Sequence, residues 1–156
     1  MKDIETELRV RRIENGTVID HITAGKALGV LKILGLPDSS QSVVSVLINS
    51  QGKYGKKDVV KVENRELKEE EVHRIALIAP NATINIIRDF NVASKMKVHI
   101  PSFVEGVVKC INPNCISNSN EPITSKFTVD TENIFLKLRC YYCGRVISEN
   151  IAEHLL

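Results

Sequence analysis

The chain has 156 residues, 43% of them hydrophobic, and a net charge of +2 from 21 basic and 19 acidic side chains. That suits one ordinary folded domain or two small ones, and the near-balanced charge excludes a generic attraction to nucleic acid or to an anionic membrane. Seven aromatic residues without Trp leave little for base-stacking platforms, and the absence of a bilayer-length apolar run or a signal-like N-terminus predicts a cytoplasmic protein.

Residues 7–13 alternate imperfectly and run through Gly16 into a β-like stretch ending at Ile22, so the first element is predicted as a strand. From Ala24 to Leu34, apolar residues at Ala24, Ala27, Leu28, Leu31 and Leu34 have helical spacing, closed by Gly35 and Pro37. Residues 42–49 are rich in β-branched side chains, and a polar Gly-containing turn leads to a second such run over 58–64, which predicts a hairpin. A helix from Leu67 to Ile78 follows, acidic in its first turn and stopped by Pro80, with Val72, Ile75, Ala76 and Ile78 or Ala79 toward the core.

Residues 83–89 and 91–98 complete two further strands before the break at Pro101. The order β-α-β-β-α-β is that of an α+β ferredoxin-like sandwich, with two helices on one face of an antiparallel sheet. Beyond residue 101 only short β-like pieces occur, near 104–109, 126–130, 134–139 and 145–148, with the cysteines at their ends. Two domains are expected, 1–100 and an all-β, rubredoxin-like 101–156.

The cysteines carry the strongest chemical signal. The first 109 residues contain none, and Cys110, Cys115, Cys140 and Cys143 are spaced Cys-x4-Cys and Cys-x2-Cys, 24 residues apart. Short knuckles of this kind let four thiolates enclose one tetrahedral ion, so a closed structural zinc site is expected. Disulfides and rubredoxin-like iron are competing assignments for the same residues. A closed thiolate set argues against catalysis, and a domain this small draws much of its folding energy from the metal.

Four segments in order, Gly16-Thr-Val-Ile-Asp-His-Ile, Lys56-Lys-Asp-Val-Val-Lys-Val-Glu-Asn, Ala79-Pro-Asn-Ala-Thr-Ile-Asn and Cys110-Ile-Asn-Pro-Asn-Cys-Ile-Ser-Asn, resemble the regulatory-chain family of aspartate carbamoyltransferase. The resemblance runs from about Leu8 to the end. It implies a subunit without an active site, whose N-terminal domain binds CTP as inhibitor, ATP as activator and, as a further candidate, UTP. Its zinc domain docks on the catalytic chain, and regulatory homodimers join catalytic trimers into a dodecamer of six catalytic and six regulatory chains in pyrimidine biosynthesis.

Lys57 and Lys61 lie four apart on a predicted strand and share a face, where Lys95 can join them. The resemblance implies phosphate contacts at Lys57, Lys61 and Lys95, a ribose and base contact at Asp20 and a phosphate-side role for His21. It places base discrimination at main-chain groups near Val10, Arg11, Ile13, Val18, Ile87, Phe90 and Val92. Arg11 stands where some relatives have an acidic residue, and Phe90 lacks the hydroxyl of a tyrosine found there in others. No P-loop or dinucleotide fingerprint occurs. A zinc-ribbon nucleic-acid binder is the alternative of a different class, but residues 101–156 hold no basic cluster. A zinc enzyme would need an open coordination position.

Overall fold

The computed structural model describes residues 12–36, 42–120, 123–131 and 136–156. Five strands, β1 (Gly16–Thr23), β2 (Val44–Gly52), β3 (Gly55–Glu63), β4 (Thr83–Arg88) and β5 (Asn91–Lys97), form an antiparallel sheet in the order β2-β3-β1-β4-β5. Helices α1 (Ala27–Ile33) and α2 (Glu69–Ile78) cover one face. This is the expected ferredoxin-like sandwich with β5 added at an edge. The second unit is a four-stranded sheet, β6 (Phe103–Glu105), β7 (Lys126–Asp130), β8 (Lys137–Cys140) and β9 (Val146–Ile147), in chain order. Among the described residues no helix is long and apolar enough to cross a membrane.

Several elements depart from the sequence expectation for local reasons. The predicted first strand over 7–13 does not extend to Arg12 and Ile13, and its residues 7–11 lie outside the described ones, as does Pro37. Helix α1 begins three residues later than predicted, because Thr23–Lys26 form a turn with Gly25 at φ +91°. The later start rotates its buried stripe onto Ala27, Val30, Leu31 and Leu34, and Leu28, predicted to face the core, is 67% exposed. Gly35, at φ +70°, ends α1 in a Schellman closure, its N–H donating to the Lys32 carbonyl and the Leu36 N–H to that of Leu31. Helix α2 starts two residues late, at Glu69, with Glu71 accepting from the Lys68 N–H at 3.0 Å.

Asp58 organises the α1 end of the sheet. It is fully buried, and its carboxylate accepts the backbone N–H groups of Gly25 at 2.9 Å, Ala27 at 3.0 Å and Asn49 at 2.9 Å. It thereby satisfies the Ala27 N–H that the first turn of α1 leaves open, together with one donor of the preceding turn and one of β2. The two bulges flanking β3 follow from this anchor. An extra residue in β1 falls between Ile19 and Ile22 and another in β2 between Leu47 and Ser50, with His21 and Asn49 at φ +57° and +60°. Strand β3 itself keeps its alternation.

The two units share apolar cover. Leu77 of α2 is buried in the second core with Phe127, Val108 and Leu138, whereas its neighbours Ile75, Ala76 and Ile78 face the first. Ile151 and Leu155, in the C-terminal turn, pack against both cores. That turn is tied down by the Lys109 N–H donating to the His154 carbonyl at 2.7 Å and the Leu156 N–H to that of Val107 at 2.8 Å. Leu77→Ala is expected to lower stability by roughly 2–5 kcal/mol, with loss of protection in β6–β9 exceeding that in β1–β5 by hydrogen exchange. Equal loss in both sheets would show that Leu77 belongs to one common core.

Candidate functional site: an open lysine-lined sheet face and a four-thiol cluster

The face of the first sheet away from the helices is polar, because alternate residues there face solvent. The observed register aligns Lys61 of β3, Val18 of β1, Asn85 of β4 and Lys95 of β5 in one row across four strands. Two residues along, Asp20 is opposite Thr83, which is opposite Lys97. In the other direction Gly16, Ile87 and Val92 form a third row, near the turn bearing Phe90. Rows lie about 6.6 Å apart along the strands. Gly16 is required there: at φ +146°, a Cβ would sit 2.2 Å from the Val62 carbonyl oxygen.

Lys57 bonds Asp20 at 2.8 Å, and the Asp20 carboxylate also accepts the His21 N–H at 2.6 Å. Partial burial opposes ionisation of Asp20, but Lys57 and the His21 N–H outweigh it and hold its pKa below the usual value. The His21 ring Nδ1 lies 3.1 Å from Thr83 Oγ1. The bulge turns this exposed residue along the sheet face, beside an open cleft of about 650 Å³ whose walls include Lys57, Lys97 and Tyr54.

Burial pushes the Lys61 pKa down, only partly offset by Asp20. The folded chain therefore binds fewer protons than the unfolded one between the depressed value and 10.5, so Lys61's own contribution to stability rises with pH across that window. Anion binding has the opposite sign. Affinity for a phosphate ligand is expected to fall as pH rises through the depressed pKa, with proton uptake on binding in calorimetry across buffers. Lys61→Arg should flatten that alkaline limb, and an unchanged limb would remove Lys61 from the site.

At the far end, the Phe90 N–H donates to the Glu14 carbonyl at 2.9 Å and Arg12 to the Phe90 carbonyl at 3.0 Å. Asp89 and Phe90 form a two-residue turn with φ of +51° and +66°, strained for an aromatic residue. Ile13 and Ile87 are buried, whereas Phe90 and Val92 are half exposed. Val10 and Arg11 lie outside the described residues. The sequence reading missed Asn85, whose signal was a lone amide among the apolar residues of β4. It also missed Lys97, two residues from Lys95 and so on the same face.

In the second unit the four cysteine sulfurs all lie within 4.8 Å of one another, with Cys110 3.5 Å from Cys143 and Cys115 3.7 Å from Cys140. A tetrahedral ion with thiolate bonds of about 2.3 Å separates its ligands by about 3.8 Å, so the set fits one such ion. Cys110, Cys115 and Cys140 are buried among Phe127, Leu138 and Ile147, and Cys143 faces outward. Gly144, at φ +78°, closes the second knuckle, its N–H donating to the Cys140 carbonyl at 3.0 Å.

Without an ion, burial and the adjoining sulfurs push the Cys110 thiol up to about 12, while the Arg145 N–H brings Cys143 down to about 7. Cys140 is raised by burial; Cys115 is lowered because Ser117 outweighs its burial. The Asn112 N–H points at Cys110 Sγ, 3.5 Å away, an outer contact typical of thiolate metal ligands.

Two family descriptions match the chain: aspartate carbamoyltransferase regulatory chain, allosteric domain, over residues 8–99, and the metal binding domain of the same chain over 102–153. Curated relatives named aspartate carbamoyltransferase regulatory chain include that of Methanococcoides burtonii, 68% identical over 96% of this chain and 94% of its own. That of Methanosarcina barkeri is 61% identical over 96% and 97%, and that of Methanothrix thermoacetophila 58% over 98% and 99%.

Proposed function

Because the chain belongs to the family of aspartate carbamoyltransferase regulatory chains, non-catalytic subunits with an allosteric and a metal-binding domain, we propose that it binds CTP as inhibitor and ATP as activator. The effector domain is residues 1–100, and the domain contacting the catalytic chain is 101–156. The observation that carries the nucleotide reading is the row Lys61, Val18, Asn85 and Lys95 beside the Asp20–Lys57 pair. Cations at the Lys57, Lys61 and Lys95 end suit phosphates, Asp20 suits the ribose, and the backbone around Ile13, Ile87, Phe90 and Val92 suits a base. Val10 and Arg11 belong to the same base-reading set by resemblance, as does UTP to the ligands.

The metal is zinc, held by Cys110, Cys115, Cys140 and Cys143. Four thiolates fill its tetrahedral sphere and leave no position for a substrate, which supports a structural role. Catalytic trimers are joined by regulatory homodimers into a dodecamer of six chains of each kind, in the cytoplasm. Exposed Val43, just before the outer strand β2, and Ile48 within it support pairing through the effector domains.

Regulation requires effectors to bind two quaternary states with different affinity, and the coupling is reciprocal. Leu77, carried by α2 into the second core, and Ile151 and Leu155, packed against both cores, give the effector domain a contiguous path to the metal domain. Mixing the zinc-loaded chain with catalytic trimers should yield a larger assembly in sedimentation, and filling the active sites with a bisubstrate analogue should change CTP affinity by calorimetry. Assembly with unchanged CTP affinity would refute the coupling; binding to DNA without assembly would favour a zinc-ribbon protein.

A further inference from the structure

The turn between β4 and β5 is tied down at several points. The Phe90 N–H donates to the Glu14 carbonyl at 2.9 Å, the Asp89 N–H to Asn15 Oδ1 at 3.3 Å, and the Asn91 side-chain amide to the Asp89 carbonyl at 2.9 Å. These bonds hold the turn although Asp89 and Phe90 both have positive φ. Arg12 adds another from 78 residues away, Nη2 donating to the Phe90 carbonyl at 3.0 Å in an exposed position. An exposed side-chain bond adds little to a turn already closed in this way, so bracing does not account for Arg12.

What Arg12 changes is the chemistry of the site's edge. The Phe90 carbonyl by itself is an acceptor, suited to an exocyclic amine. A guanidinium has five N–H donors, no acceptor and a permanent positive charge. Among the described residues the bond to Phe90 is the one hydrogen bond that the Arg12 side chain makes, so further donors and the charge stand beside that carbonyl. The nucleobases divide on this point: cytosine and adenine carry an amine where uracil and guanine carry a keto oxygen. An amine brought to the Phe90 carbonyl shares its acceptor with Arg12 and faces a cation. A keto oxygen brought there meets donors whose charge strengthens the bond.

Resting on the nucleotide reading above, which sets the base beside Phe90, we infer that Arg12 is a specificity-determining residue of the effector site and turns its preference toward the keto bases uracil and guanine. CTP and ATP still bind through phosphates and ribose, which this contact does not touch. The base end then ranks UTP above CTP and GTP above ATP.

The test is calorimetric titration of the metal-loaded full chain with CTP, UTP, ATP and GTP in one buffer, so that the phosphate contribution is common to all four. UTP should bind roughly fivefold tighter than CTP, and GTP than ATP, the low end of what an arginine discriminates between bases because Arg12 is exposed. In Arg12→Ala the bare carbonyl returns and both orders should reverse. Arg12→Lys, which keeps a charge and donors, should retain the original orders. The bonds that remain on the turn keep these variants folded, as circular dichroism checks. Amino bases binding the unmodified chain as tightly as keto bases overturn the inference and leave the nucleotide site standing. So does an Arg12→Ala chain that loses affinity for all four by one factor, which would make Arg12 a brace on the turn. No binding of any of the four to the folded, unmodified chain overturns the nucleotide reading and this inference with it.

Discussion

Removing the metal from the full chain is expected to abolish the β6–β9 sheet and leave β1–β5 folded. Among the described residues, the second core has nine that are buried, of which three are cysteines of the thiol cluster and one, Leu77, comes from α2. Strands of three, five, four and two residues cannot order their backbone on that burial alone. A four-thiolate site contributes about 10–16 kcal/mol at neutral pH, more than a domain of this size retains as net stability. Its loss leaves buried thiols, among them Cys110 with its strongly raised pKa, and nothing to hold the two knuckles together.

The first sheet has its own core, with seventeen buried residues among those described, so it survives, less stable by the cover that Ile151 and Leu155 gave it. A downward shift of roughly 5 °C in its melting temperature is expected. Amide NMR of the stripped chain provides the readout: resonances of residues after 101 should collapse to random-coil positions while those of 16–98 stay dispersed. Simultaneous collapse of both sets would show that the units fold as one. The stripped chain should also fail to join catalytic trimers yet still bind nucleotide.

Asp58→Ala is expected to be the most damaging single substitution in the effector domain. It leaves three backbone N–H groups, those of Gly25, Ala27 and Asn49, without their acceptor in a buried setting. Each orphaned donor costs about 1–3 kcal/mol, and partial rescue by water brings the sum to roughly 3–5 kcal/mol, as for loss of a buried polar network. The effect is also directional, because the carboxylate fixes both the start of α1 and the bulges that set His21 against Thr83. Nucleotide affinity should therefore fall in Asp58→Ala even where the chain is fully folded. Asp58→Asn, which retains one carbonyl acceptor, should recover part of both losses. Urea denaturation with calorimetry on the same samples separates them, and a stability loss under 1 kcal/mol for Asp58→Ala would show that the three N–H groups find other partners.

Much of this molecule was legible in its residues. The element order of the first sheet followed from periodicity, and the acidic first turn of α2 and the glycine closing α1 were read from local chemistry. The cluster of Cys110, Cys115, Cys140 and Cys143 was legible because knuckle spacing constrains four sulfurs over a few residues each. The misreadings have one physical origin. Leu28 was placed in the core because helical phase was counted from Ala24, whereas the phase is set by Asp58, thirty residues downstream. Leu77 stood outside the predicted core face of α2, yet it is buried in a different core from its neighbours.

Local pattern was enough for the order of the elements and for each cysteine knuckle, because both depend on side chains within a turn or two of each other. Tertiary structure alone decided the cross-strand register that aligns Lys61, Val18, Asn85 and Lys95, and the bulge that turns His21 toward Thr83. It also decided the gathering of Lys53, Lys56 and Lys97 around one cleft. Register depends on hydrogen bonds between strands far apart in the chain and on which residue is left over when a buried carboxylate claims the neighbouring N–H groups, and neither quantity is written in any local pattern.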